Sequence, residues 1–102
     1  MSKIYISGPI SVLPIEEAKQ RFDNSAIDLY YYGNYDIEDI VNPFNINPFL
    51  GLKNWWCYMI NDVRELLKCD SIYMLKGWQK SRGACVEHLI AVWRKMDIIY
   101  QV

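Results

Sequence analysis

The chain is short of the residues and runs that define several protein classes. Its 102 residues contain three cysteines, one histidine and no run of eighteen apolar residues, which excludes a membrane-spanning helix. Cys57, Cys69 and Cys85 are odd in number and lack metal-ligand spacing, so they indicate reduced thiols in a cytoplasmic protein. The N-terminal stretch MSKIYISGP has neither a long apolar segment nor a cleavage site, so secretion is not expected.

Neither sign of charge predominates in the chain, because the formal net charge is −1. This balance argues against a protein that binds nucleic-acid polymers. The halves differ, however: residues 1–51 carry three Lys or Arg against seven Asp or Glu, and residues 52–102 carry eight against five. Lys76, Lys80 and Arg82 lie together in one predicted loop, which would favour a small anionic ligand.

Strand and helix patterns alternate along the whole chain. Predicted strands cover residues 3–7, 35–43, 71–75 and 97–102, and predicted helices cover residues 14–32, 54–68 and 82–95. Such alternation requires right-handed crossovers and a parallel sheet covered on both faces. We therefore expect one α/β domain over residues 1–102, a minimal doubly wound, flavodoxin-like or Rossmann-like fold. The expected strand order is 2-1-3-4.

The helix patterns also predict which faces are buried. The first helix has an apolar stripe at helical spacing, and the second has another that includes Met59, Ile60 and Leu67. In the third helix the bulky residues are expected to face the core: Val86, Leu89, Ile90 and Trp93. Residues 43–54, rich in Pro, Gly and Asn, predict a functional loop or lid.

A ligand site is expected beyond the carboxyl ends of the first and third strands, where the strand order reverses. Ser7-Gly8-Pro9, the loop from Lys76 to Arg82 and the start of the third helix meet there. Glu87 shares a helix face with the small residues Gly83 and Ala91. That niche suits a nucleophile or base, but a first-turn Glu favoured by the helix dipole fits the spacing equally well.

For the other candidates, spacing alone favours a structural role over a functional one. Asp62 follows Tyr58 by one helical turn, so it either shares a stripe with rings that stack on a ligand or belongs to a solvated face. Tyr5 is more typical of sheet packing, and His88 points about 100° away from Glu87, as expected of filler. Tryptophans are more often core residues than ligand-stacking rings, and Trp78, in a loop at the end of a strand, is the best exception.

Several segments together resemble a known group of enzymes. They are KIYISGPI at the start, VNP after the second strand, WWCYMINDVREL on a helix, and CDSIYML with GWQKSRGACVEHLIA near the end. The chain resembles the nucleoside 2-deoxyribosyltransferase-like superfamily, which includes 2'-deoxynucleoside 5'-phosphate N-hydrolases, and in particular its short bacterial and phage members. The most specific element is the S-x-G-x-x-x-E pattern that opens the third helix.

The resemblance implies a role for each matching position. Glu87 matches the glutamate that attacks the anomeric carbon of the sugar, and Asp62 matches an acid near the sugar and base, the candidate proton donor. Tyr5 matches a tyrosine that orients the nucleophile. Ser81 matches a serine that holds a 5'-phosphate, and Gly8 and Gly83 match glycines that line the pocket. The remaining substrate-contacting candidates at this edge are Ser7, Pro9, Tyr58, Gly77 and Trp78.

The implied function is cleavage of an N-glycosidic bond, by hydrolysis or base transfer, in a small 2'-deoxynucleoside or its 5'-monophosphate. Ser81 and the basic loop favour monophosphates and hydrolysis. The alternative is a non-catalytic nucleotide-binding protein, a sensor or sponge, on the same fold. We expect no cofactor, no metal, no membrane contact and a cytoplasmic location. Because relatives complete their sites with a neighbouring subunit and the last strand is an edge, we also expect a homodimer or higher homo-oligomer.

Overall fold

A four-stranded, all-parallel sheet with strand order β2-β1-β3-β4 forms the centre of the molecule. The computed structural model describes residues 3–9, 14–46 and 55–101. The strands are β1 (Ile4–Ser7), β2 (Ile40–Val41), β3 (Ser71–Met74) and β4 (Asp97–Tyr100), and the helices are α1 (Ile15–Tyr32), α2 (Pro43–Ile46), α3 (Trp55–Leu66) and α4 (Arg82–Trp93). This is the small doubly wound, Rossmann-like α/β fold and the strand order that the sequence predicts.

The second strand is shorter than predicted. Only Ile40 and Val41 pair with β1, and the residues before them form a 3₁₀ turn, Ile37–Asp39. Ile37 is 70% exposed and is therefore not part of the core. Asp36 and Glu38 are also exposed, and acidic residues are disfavoured in strands.

The segment after β2 begins with a short helix instead of a loop. Asn42 is buried, and its side-chain Oδ1 accepts a hydrogen bond of 3.1 Å from the backbone N–H of Phe44. Pro43 then occupies the first helical position, where its missing N–H costs nothing. Residues 47–54, the remainder of the predicted functional loop, lie outside the described part of the chain.

Alternate residues of β1 pack into two hydrophobic cores on opposite faces of the sheet. Ile4 and Ile6 pack with α1, where Phe22 is fully buried and contacts Phe44 edge to face at a centroid distance of 5.2 Å. Tyr5 points to the other face, towards α3 and α4. The predicted apolar stripe of α1 is confirmed at its buried positions Ala18, Phe22 and Leu29.

The predicted core faces of the later helices are partly wrong. In α4, Leu89 is 68% and Trp93 77% exposed, whereas Ala84, Glu87 and Ala91 are buried. The space below α4 is already filled by large side chains of the sheet, among them Tyr5, Ile72 and Met74. The helix can therefore approach only with its small residues. Ile60 of α3 and Leu67, just after it, are likewise exposed, although Met59 and Leu66 are buried.

Cys69 and Cys85 are both free thiols. Burial raises the pKa of Cys69 to about 11, so this thiol stays protonated and unreactive at neutral pH. No helix in the described residues combines the length and the apolar character needed to cross a bilayer.

Candidate functional site

The carboxyl ends of β1 and β3 come together where the strand order reverses. At Gly8, just after β1, an added Cβ would lie 2.7 Å from Cβ of Leu75, so only glycine allows the two strand ends to approach this closely. Gly77 has a φ of +84°, and an added Cβ there would lie 3.8 Å from Cγ of Pro9. The turns after the two strands are thus in contact, as the sequence predicts for the ligand crevice.

Glu87 is buried beside these strand ends and is held at both carboxylate oxygens. The hydroxyl of Tyr5 donates a hydrogen bond of 2.7 Å to Oε2, and the hydroxyl of Ser7 donates one of 2.6 Å to Oε1. Tyr5 and Ser7 are two residues apart in β1, so both side chains emerge on the face of the sheet covered by α4. The side chain of Glu87 is therefore fixed in one orientation, and the residue as a whole is 5% exposed.

Burial changes the protonation of this group. The pKa of Glu87 is raised to about 8, first because burial disfavours the charged form and second because of the charge of Asp62. The hydrogen bonds from Ser7 and Tyr5 act in the opposite direction. Burial, followed by the charges of Glu87 and Asp62, also raises the pKa of Tyr5 well above its ordinary value. At neutral pH, Glu87 in the free protein thus mostly retains its proton.

Asp62 reaches the same region from α3. It is 6% exposed, and its charge is close enough to act on the pKa of both Glu87 and Tyr5. The interpretation as a residue of a solvated helix face is therefore wrong for Asp62. Two buried carboxyl groups that share one region cannot both ionise easily.

Ser81 lies at the start of α4, as predicted. Its Oγ accepts a hydrogen bond of 3.3 Å from the backbone N–H of Ala84, and the residue is buried. Gly83, in the first turn, is half-buried, and Arg82 is exposed. The hydroxyl of Ser81 caps the helix as an acceptor and keeps one hydrogen to donate.

Trp78 lies against α4 and β4. Its ring stacks on the ring of His88 at a centroid distance of 4.2 Å, and Nε2 of His88 is 2.8 Å from the hydroxyl oxygen of Tyr100. One face of the indole is therefore already occupied by a protein ring. Tyr58 lies on α3 one turn before Asp62, and its side chain is outside the described part of the chain.

Three contributors were not anticipated in these roles. Ser7, a candidate substrate contact, bonds Glu87, and its spacing from Tyr5 in β1 is the signal that could have shown this bond. His88, expected to be a surface or core-filling residue, joins Trp78 to Tyr100. Arg21, on α1, donates a hydrogen bond of 2.7 Å to the carbonyl of Lys76 and so ties down the turn after β3, a long-range contact that no local pattern reveals.

The described residues include no cluster of three or more His, Cys, Asp or Glu side chains that could hold a metal ion. The arrangement they do provide is a pair of buried carboxyl groups at a strand reversal, one of them bound by two hydroxyls. It can present a carboxylate oxygen to an electrophilic carbon and store a proton close by.

Comparison with known proteins identifies the family to which this chain belongs. Neither the curated proteins nor the solved structures include a significant match to this sequence. A family model described as "Domain of unknown function (DUF4406)" matches residues 2–100, which include β1, both carboxyl groups and the start of α4. The chain therefore belongs to the DUF4406 family.

Proposed function

We propose that this protein cleaves the N-glycosidic bond of a small 2'-deoxynucleoside or its 5'-monophosphate, with Glu87 as the nucleophile. The observation that carries the proposal is the environment of Glu87: a buried carboxyl group, bonded at both oxygens by Tyr5 and Ser7, beside Asp62 and below the strand reversal. We also place the family within the nucleoside 2-deoxyribosyltransferase-like superfamily, on the motifs that carry Ser81, Gly83 and Glu87.

A purely structural role accounts poorly for this environment. The hydrogen-bond partners of Glu87 among the described residues are neutral hydroxyls, and the nearby charge of Asp62 has the same sign as its own. Placing a carboxyl group there costs stability, since burial without a positive partner disfavours its charged form. Such an arrangement is more typical of a site where a positive charge develops during the reaction.

Cleavage of an N-glycosidic bond develops that charge at the anomeric carbon, C1'. In the proposed first step an oxygen of Glu87 bonds to C1', and the electrons of the breaking C1'–N bond pass to the base. The base takes the proton of the carboxyl pair, which resides on Asp62 once Glu87 is ionised. In the second step water attacks C1', Asp62 accepts a proton from that water, and the bond to Glu87 breaks to release the free sugar and the carboxylate.

Tyr5 and Ser7 act in this scheme by orienting the nucleophile. Each donates to one oxygen of Glu87, which prevents rotation of the carboxylate and offsets part of the cost of its charge. The pKa of Tyr5 is raised well above its ordinary value, so its hydroxyl stays protonated and remains a donor at neutral pH.

Preference for a 5'-monophosphate is supported by the start of α4. The N-terminal end of a helix carries a partial positive charge, and Ser81 can donate its remaining hydrogen to a phosphate oxygen there. Lys80 and Arg82 are exposed on either side of Ser81 and add positive charge.

The free thiols of Cys69 and Cys85 support a reducing, cytoplasmic location.

The experiment is an incubation of the protein with ribo- and 2'-deoxyribonucleosides and their 5'-monophosphates, followed by chromatography for the free base. We expect release from at least one 2'-deoxynucleotide. Glu87→Gln should lower the rate by about three orders of magnitude or more, because the amide cannot attack C1'. The variant keeps the size of the side chain, and both hydroxyls can rotate to suit an amide.

Glu65→Gln is the matched control, since Glu65 lies on α3 and pairs with Lys68 on the surface. It should retain the wild-type rate. Base release that survives Glu87→Gln unchanged would contradict the assignment of the nucleophile. No release from any substrate, combined with thermal stabilisation by one of them, would instead identify a nucleotide-binding protein.

A further inference from the structure

A cavity of about 320 Å³ lies on the face of the molecule away from α4, between α1 and β2. Its lining is largely apolar and aromatic; we call it the acidic-face pocket, lined by Ala26, Ile27, Tyr30, Tyr31, Ile37, Ile40 and Asn42. Three of these residues are more than half exposed: Ile27 at 53%, Tyr31 at 69% and Ile37 at 70%. Its volume is at the lower end of the range for small-ligand sites and can hold one aromatic side chain.

The surroundings of this pocket are strongly acidic. Residues 22–52 contain five Asp or Glu and no Lys or Arg. Asp28, Asp36 and Glu38 are exposed on these segments, whereas Asp23, which bonds Asn42 of the pocket, is paired with Lys19. A partner that fills the pocket would therefore need an apolar group accompanied by positive charge.

The outer face of α4 has the opposite character. Leu89, Val92 and Trp93 are 68%, 52% and 77% exposed, and Trp93 lies in the last turn of the helix. Residues 89–95, which carry these side chains, contain two Lys or Arg and no acid. Arg94 and Lys95 follow Trp93 directly and are exposed. This basic apolar face has the chemistry that the acidic-face pocket requires.

We propose that the two surfaces bind each other in neighbouring copies of this chain, with Trp93 of one copy seated in the acidic-face pocket of the next. Charge decides between this arrangement and a symmetric one. Two α4 faces would bring Arg94 and Lys95 against a like-charged surface, and two pockets would bring acid against acid. Each surface is complementary to the other but not to itself.

The pocket lies on the α1 side of the sheet and α4 covers the other side, so two copies cannot make both contacts reciprocally and the contact is heterologous. It generates a ring if its rotation closes and an open chain if it does not, instead of a two-fold dimer. Trp93 resembles a typical interface anchor, a large aromatic side chain that fills a pocket and is flanked by Arg. The inference uses neither Glu87 nor its chemistry, so it stands independently of the proposed activity.

Analytical ultracentrifugation of the full chain over a range of concentrations tests the proposal, with two variants at exposed positions. Trp93→Ala removes the anchor, and Ile37→Lys places a positive charge at the pocket. The wild type should associate, and its apparent dissociation constant should rise by about tenfold or more between low and high salt. Each variant alone should associate about tenfold more weakly or less. Circular dichroism checks that both variants remain folded.

A mixture of the two variants distinguishes the geometry. Trp93→Ala retains an intact pocket and Ile37→Lys retains an intact anchor, so together they should form a 1:1 dimer that grows no further. Three results would overturn the proposal: a wild type that stays monomeric, a Trp93→Ala variant that associates normally, or an Ile37→Lys variant that associates normally. The last result would indicate symmetric contact through α4.

Discussion

At the scale of single residues, Glu87 combines three properties that rarely occur together in a structural side chain. It is buried, its two bonded partners are neutral hydroxyls, and the neighbouring charge of Asp62 repels its ionised form. The small residues Gly83 and Ala91 on its helix face predict such a niche from the sequence. The hydroxyls that hold it could not be predicted locally, because Tyr5 and Ser7 are about 80 residues away along the chain.

These properties predict how stability depends on pH. The pKa of Glu87 is about 8 in the folded state against 4.5 for the ordinary carboxyl, so between these values the folded state binds a proton that the unfolded state releases. The free energy of unfolding should therefore fall as pH rises from about 4.5 to 8. Glu87→Gln removes this term, so its stability relative to wild type should increase by about 2–4 kcal/mol from pH 5 to pH 8.

Urea denaturation at several pH values measures this difference. Glu65→Gln is again the control, since it changes a surface carboxylate on α3, and its difference from wild type should stay nearly constant over the same range. Tyr5 does not confound the measurement, because its pKa is raised above 10 and it titrates outside the window. A Glu87→Gln variant whose relative stability is independent of pH would show that Glu87 is ionised in the folded protein.

At the scale of the element, α4 shows where reasoning from hydrophobic pattern fails. Its bulky residues Leu89 and Trp93 were expected inside, yet they are exposed, while the small residues Ala84 and Ala91 are buried. Prediction from hydrophobic pattern assumes that the large side chains of the helix fill the space between helix and sheet. Here Tyr5 and Met74 of the sheet fill that space, and helix and sheet come close only because the helix residues are small.

On α4, enlarging a small residue should therefore destabilise the protein more than truncating a bulky one, the reverse of what hydrophobicity alone suggests. Ala91→Leu adds volume at a fully buried position and should lower the free energy of unfolding by about 1–3 kcal/mol. Leu89→Ala removes a large side chain that is 68% exposed and should change it by less than about 0.5 kcal/mol. Urea titrations at low protein concentration, where copies do not associate, compare the two. A larger loss from Leu89→Ala would mean that the bulky face is buried.

At the scale of the whole molecule, the topology was predictable because strand and helix periods alternate and right-handed crossovers leave few arrangements. The order β2-β1-β3-β4 follows from these rules and is confirmed. The predicted length of β2 was wrong. The apolar residues of this segment alternate as in a strand, but Ile37 is exposed and does not pack into the core. Local period shows what an element can form, and tertiary cover determines how far it extends.

The same topology makes the two cores depend on each other. Ile4 and Ile6 of β1 pack with α1, whereas Tyr5 of the same strand packs beneath α4, so neither core can open without losing a central strand. Trp78, in the 3₁₀ turn Trp78–Lys80, packs against the core that contains Tyr5 and Met74. The fluorescence of Trp78 therefore reports on the core that does not contain Phe22.

Phe22→Leu should reveal that coupling. The substitution leaves a space beside Phe44 in the α1 core and should lower the free energy of unfolding by about 1–2 kcal/mol. If the two cores unfold as one, the denaturation midpoint measured by tryptophan fluorescence shifts as far as the midpoint measured by far-ultraviolet circular dichroism. A fluorescence midpoint that stays at the wild-type value while the dichroism midpoint falls would show that the α3–α4 side, with Glu87 and Asp62, is stable without the α1 core.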